Sequence, residues 1–168
     1  INAKTKCVVQ MTLTTYDEDL CRKLEPNVST TLERFRVLEA MRAEGIPTVV
    51  WFSPILPFIN DTEENLLGLL DYCVQAKVRG IMCFGFGVTL RDGNREYFYA
   101  QLDRRFPGIK QKYICAFGNA YVCNSPDNSR LMAVFKEVCE HHGILWKPED
   151  VFAYLQASES KEEQLSLF

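Results

Sequence analysis

Three apolar segments rich in β-branched residues, set about thirty residues apart, constrain this chain most. They are CVVQMTLTT (6–14), IPTVVWF (46–52) and RGIMCFGF (79–86). The first shows strand-like alternation, while the second and third are the nearly unbroken runs that a sheet covered on both sides requires. Helix signals lie between them. Asp17 to Leu24 reads as a short helix that ends at Glu25, because the residue before Pro26 is driven out of the helical region. Thr30-Thr31-Leu32-Glu33 is a capping box opening a helix whose Leu32, Phe35, Leu38 and Met41 share a face until Gly45. Asp61 is the expected cap of a third helix reaching Lys77, with Glu64 closing the cap and Leu66, Leu69, Leu70, Cys73 and Val74 turned inward. Strand, helix, strand, helix, strand at a spacing of about thirty residues is the signature of parallel βαβ units, an α/β fold.

After Gly87 the pattern changes to helices. Asn94 to Phe106 and Ser125 to His142 are amphipathic, with Ile109 to Phe117 helical or irregular between them. Leu131, Val134, Phe135 and Val138 form the buried stripe of the second, and Pro148-Glu149-Asp150 starts a last short helix reaching about Gln156.

Composition excludes several classes. The chain has 168 residues, 47% hydrophobic and 24% charged, enough for one domain with a real core. No apolar run approaches the roughly 20 residues of a membrane span, so no membrane association is expected. Seven cysteines, an odd number scattered singly, point to reduced thiols and a cytoplasmic setting instead of a disulfide framework. A net charge of −3 is no credential for bulk nucleic-acid binding. DNA contact would need a local patch such as Arg91, Arg95, Arg104, Arg105, Lys110 and Lys112, which reads equally as solvated helix faces.

Longer tracts carry a family likeness. TLTTYDEDLCRKLEP (12–26), ERFRVLEAMRAEGIP (33–47) and SPILPFIND (53–61) resemble the second half of a radical S-adenosylmethionine enzyme, most closely the spore photoproduct lyase-related, DNA repair photolyase-like branch. FGFGVTLRDGNREYFYAQLDRRFPG (84–108) and YICAFGNAYVCNSPDNSRLMAVFKEVCEHHGI (113–144) resemble the carboxyl-terminal extension of that branch. The likeness covers about residue 8 to residue 155. It implies the C-terminal portion of a partial (β/α) TIM-type barrel, with about three parallel strands and flanking helices over 1–90. A helical C-terminal extension follows over 91–156, then a tail, 157–168.

Such enzymes hold a [4Fe–4S] cluster with a CxxxCxxC motif, and no cysteine spacing here supplies one. The chain begins at Ile1 without a methionine, directly before a strand. The expectation is therefore the carboxyl-terminal part of a longer enzyme. S-adenosylmethionine and the cluster would be bound by the full-length protein, and neither by this portion alone. The missing N-terminal half is then an implied partner, and a DNA lesion an implied substrate.

The resemblance also implies roles at strand ends. Thr12 or Thr14 would touch the ribose or amino acid moiety of S-adenosylmethionine, and Ser53 lies at the next strand end. Arg34 would take the methionyl carboxylate with its fork. Ordinary β-propensity accounts equally for the threonines, and pairing with Glu33 or Glu39 for Arg34. Glu25 is read as orienting Arg34, as accepting from the cofactor, or as stabilising the turn. Truncation would leave inward-facing Val50, Phe52 and Met82 without a facing half, to be covered in part by the carboxyl-terminal helices.

The last five residues, QLSLF, resemble the short motif by which bacterial replication and repair proteins grip the DNA polymerase sliding clamp. Leu165, Leu167 and Phe168 would fill an apolar groove while Gln164 bonds at its rim. The polar stretch Ser158 to Glu163 suits a tether. The alternative is an amphipathic end packed on its own domain. Gly85-Phe86-Gly87 reads as strand-end geometry, and His141-His142 as a helix-terminal pair instead of a metal site. Tyr97, Tyr99, Tyr113 and Tyr121 read as packing or as stacking surfaces, and Cys83 and Cys115 as small hydrophobes or hydrogen donors.

Overall fold

β-Branched and aromatic residues favour extended backbone because their side chains pack well on a pleated surface. In the computed structural model, which describes Asn2 and residues 5–157, the three apolar segments accordingly condense into β1 (Val9–Thr12), β2 (Thr48–Trp51) and β3 (Gly80–Met82). They form one parallel sheet in the order β1-β2-β3, with Met11 opposite Val50 and Val50 opposite Ile81. The crossovers are helical: α1 (Glu18–Leu24) and α2 (Thr31–Ala43), then α3 (Glu63–Gln75). The chain continues through β4 (Gly87–Thr89), α4 (Asn94–Arg105), α5 (Ile109–Phe117), β5 (Val122–Asn124), α6 (Asn128–His142) and α7 (Pro148–Gln156). None of these helices is long and apolar enough to cross a membrane.

Local chemistry explains the helix starts. Thr30 caps α2, accepting from the Glu33 amide at 3.4 Å while Glu33 accepts from the Thr30 amide at 2.8 Å, the reciprocal box expected. The cap of α3 differs from expectation. Thr62, not Asp61, accepts from the Asn65 amide at 3.1 Å, and Asp61 instead accepts from the Ser125 hydroxyl at 2.6 Å. The Asn65 side chain is committed to the neighbouring loops, which fixes where the first turn of α3 can begin.

The alternation of strand side chains decides the core. Met11, Leu13, Val50, Phe52, Ile81 and Cys83 meet Phe35 and Leu38 of α2, Leu66, Leu69 and Leu70 of α3, and Leu131 and Phe135 of α6 in one cluster. Val50 and Phe52 therefore face the helices, a correction to the expectation that they point the other way; Met82 does lie on the opposite face. There Val49 and Met82 pack under Val151, Tyr154 and Leu155, so α7 covers part of that second face. The outer edge of β3 is also engaged. The Ile81 amide donates to the Leu145 carbonyl at 2.8 Å, and a Cβ at Gly80 would sit 3.2 Å from that residue. The missing side chain lets the two backbones close.

A ribbon that the sequence did not announce joins the helical part to the sheet. β4 and β5 pair antiparallel, Val88 opposite Cys123. A Cβ on Gly87 would stand 2.6 Å from the Cys123 carbonyl oxygen, so glycine is needed for this close approach. Behind the ribbon, Leu90, Leu102, Tyr113 and Cys123 form a second buried cluster, with Phe58, Phe98 and Phe117 around the Tyr113 ring.

Candidate functional site

The carboxyl ends of β1 and β2 gather a polar cluster. Pro26 forces Glu25 out of α1, and the Glu25 carboxylate turns toward the end of β1. Arg34, one turn into α2, meets it with both arms of its guanidinium: Nη2 to Oε1 at 3.1 Å and Nη1 to Oε2 at 3.2 Å. Nη1 also donates to the Thr12 carbonyl at 3.1 Å, and the Thr14 hydroxyl donates to Glu25 Oε2 at 2.7 Å. The Arg34 side chain is only 11% exposed and that of Glu25 28%, so the pair is largely withdrawn from water. Removing one partner would strand the other charge.

This arrangement brings together Thr12, Thr14 and Arg34: Glu25 accepts from Thr14 and Arg34, and the Thr12 carbonyl accepts from Arg34. Neither Glu33 nor Glu39 takes the guanidinium. Thr14 and Thr15 are buried, whereas Thr12 lies exposed on the second face of the sheet beside Trp51 and Gln10. The Trp51 indole donates to Gln10 Oε1 at 2.9 Å. Ser53 stands apart from the cluster. It is exposed and lines a groove of about 440 Å³ together with Phe84, Gly85, Thr89 and Asn124.

Two residues that sequence reasoning missed hold the loops rigid. The Asn60 amide donates to the Thr14 carbonyl at 2.7 Å and to the Thr15 hydroxyl at 3.1 Å, while its oxygen accepts from the Leu56 amide at 2.6 Å. Asn65 donates to the Thr14 and Asn60 carbonyls at 3.1 and 2.8 Å and accepts from the Tyr16 amide at 2.6 Å. These buried amides, Asn60 and Asn65, fix the loop after β1 against the loop after β2. Asn60 in the loop after β2 reads as a turn former and Asn65 as a helix residue, so no local signal announces this use.

The remaining candidates have definite places. Arg91 donates to the Tyr121 hydroxyl at 3.2 Å, which lowers the pKa of that phenol. Arg95 is occupied by the carbonyls of Leu90, Gly118, Asn119 and Ala120, Arg105 by the Lys23 carbonyl, and Lys110 by Asp103 at 2.6 Å. Much of the basic patch therefore serves internal contacts. Tyr113 is wholly buried, its hydroxyl without a hydrogen-bond partner among the described residues, and burial raises its phenol. Tyr97 is exposed at a cleft mouth. Burial pushes the Cys83 thiol up to about 11 and the Cys139 thiol up to about 12, keeping both protonated and inert at neutral pH. Cys115 is exposed on α5. His141 and His142 end α6 with rings 4.8 Å apart, and among the described residues no group of three His, Cys, Asp or Glu could hold a metal. Gln164, Leu165, Leu167 and Phe168 lie outside the described residues.

No family model matches the chain. The uncharacterized protein Rv2578c of Mycobacterium tuberculosis (strain ATCC 25618 / H37Rv) is 31% identical over 105 residues, 62% of this chain and 30% of the relative. The uncharacterized protein Mb2609c of Mycobacterium bovis matches to the same extent. The matched stretch thus spans less than a third of these curated relatives, and neither name states an activity.

Proposed function

We propose that this chain is the carboxyl-terminal part of a radical S-adenosylmethionine enzyme, lyase-like, acting on a DNA lesion in the cytoplasm. In this reading the three strands are part of a (β/α) barrel that the rest of the protein extends. The observation that supports it is the arrangement at the carboxyl ends of three parallel strands in sequence order, where Thr12, Thr14, Arg34 and Glu25 converge. In α/β barrels that end carries the chemistry. The free cysteines suit a reducing compartment.

The residues here fit the two implied groups unequally. They do not fit the [4Fe–4S] cluster, since no thiolate triad exists among the described residues; in this reading its ligands come from another part of the protein. They fit the amino acid end of S-adenosylmethionine in part. Arg34 and Glu25 present a fixed cation and a fixed anion side by side, the complement of an α-amino acid's carboxylate and ammonium. A zwitterion that opens the pair would satisfy both charges at once. When bound, the cofactor supplies the radical, while Thr14, Arg34 and Glu25 orient it and the Asn60–Asn65 lattice keeps the loops in place.

The test uses the whole reading frame that contains this chain, expressed without oxygen. A CxxxCxxC motif preceding this stretch, cluster absorbance, and reductive cleavage of S-adenosylmethionine to 5′-deoxyadenosine are the expected results. Arg34→Ala should weaken cofactor binding and leave the cluster absorbance intact. A full frame without that motif would sink the reading. The second reading, a non-catalytic module recruiting the sliding clamp, is favoured by QLSLF alone. It predicts that a peptide of residues 159–168 binds the clamp and that loss of Phe168 abolishes binding.

A further inference from the structure

A cleft of about 280 Å³ lies between the end of α1, the loop after β2 and α4. Its walls are apolar: Leu24, Leu56, Ile59, Val88 and Leu102. Its rim carries Lys23, Tyr97, Gln101 and Arg105. We propose that this cleft binds a small amphipathic anion, an aromatic body of one or two fused rings bearing a single carboxylate or phosphate.

Size sets the body. A dry apolar cavity of about 150 Å³ holds benzene, so a cleft nearly twice as large suits one or two rings. Charge sets the head. The lining contains two cations and no acidic residue, in a chain whose net charge is −3. Glu25, next in sequence to the cleft wall, is already neutralised by Arg34. The Arg105 guanidinium donates to the Lys23 carbonyl, which places the Arg105 side chain against the Lys23 backbone at the edge of the cleft. Among the described residues the Lys23 ammonium has no ion-pair partner and Arg105 no carboxylate. An anion there would receive charge-assisted hydrogen bonds from both. The Tyr97 ring, 66% exposed, stands at the mouth with its faces free to cover a bound aromatic group. The radical-enzyme reading assigns these rim residues no role, so the site stands or falls separately from it.

The experiment titrates the full chain with 2-naphthoate, 2-naphthyl phosphate and neutral 2-naphthol by calorimetry. Expected is saturable binding of at least one anion, weakened about tenfold in both K23Q and R105Q, with 2-naphthol binding unchanged in either variant. Q101W, which fills the cleft from its rim, should weaken all three probes. Lys23 is exposed, so K23Q preserves a readable fold even where R105Q loosens the contact with α1. The tighter of the two anions identifies the head group. Overturning results are no saturation by either anion below about 1 mM, anion affinity in K23Q or R105Q equal to that of the unsubstituted chain, or undiminished binding in Q101W.

Discussion

The two faces of the parallel sheet receive alternate residues from the same strands, yet among the described residues only one face is buried along all three strands. Toward α2, α3 and α6 stand Val50, Phe52, Ile81 and Cys83, each no more than 3% exposed. Toward the other side stand Gln10 and Thr12, exposed, Trp51, half-buried, and Val49 and Met82, hidden under α7. A (β/α) crossover must return over the sheet on one side, so that side is sealed by the connections themselves. Among the described residues, the second side is sealed only where α7 reaches. Its uncovered part, beside Arg34 and Glu25, keeps polar groups and the Trp51 ring available, with Phe84 and Phe152 flanking that ring at centroid distances of 6.3 and 6.5 Å. The lesson is that the sheet's stability and its open chemistry sit one residue apart along β1 and at the end of β2.

Neighbouring substitutions should therefore differ widely. Phe52→Ala, in the sealed face against Phe135, should cost about 3–5 kcal/mol in urea unfolding, as removal of a fully buried ring does. A cost below about 1 kcal/mol would mean that this face is not the core.

A pH effect sharpens the same contrast, because Cys83 and Cys139 both belong to the sealed cluster. Their thiols are raised by burial to about 11 and about 12, from an ordinary 9.0. The folded chain keeps protons that the unfolded chain releases. Stability should hold below the ordinary thiol value and fall as pH rises toward about 11 for Cys83 and about 12 for Cys139. The slope should be about 1.4 kcal/mol per pH unit for each thiol. Urea midpoints at neutral pH and above pH 9.0 should show this decline, flattened in a Cys83→Ala/Cys139→Ala double variant. An unchanged slope would remove burial of the thiols as the cause.

The smallest effect belongs to the open face. Thr12→Ala should move the unfolding free energy by no more than about 0.5 kcal/mol, since its side chain is exposed and the Arg34 contact is to its carbonyl. A loss of several kcal/mol would show that this face is packed in solution.

Much of this contrast was legible beforehand. The βαβ order, the Thr30–Glu33 box and the buried stripes of α3 and α6 follow from periodicity and capping, which act within a few residues. The β4–β5 ribbon was not, because GVT and VCN are too short to show alternation and meet only after two intervening helices fold back. The direction of Val50 and Phe52 was also misjudged. Alternation tells which residues share a face but not which face the crossovers seal.

The site divides in the same way. Arg34 at the start of a helix and Glu25 before a proline were visible as chemistry, and their partnership was one of several readings. By itself the sequence determined the alternation of βα units, the capping of α2, and the burial of apolar stripes, because each depends on backbone preferences and spacing along the chain. Tertiary structure alone decided that Glu25 takes both arms of Arg34, that Asn60 and Asn65 bind the loops after β1 and β2 together, and that Gly87 admits the Cys123 carbonyl. Each of these needs partners from separate segments, held at hydrogen-bonding distance by a core that forms only when the crossovers close over the sheet.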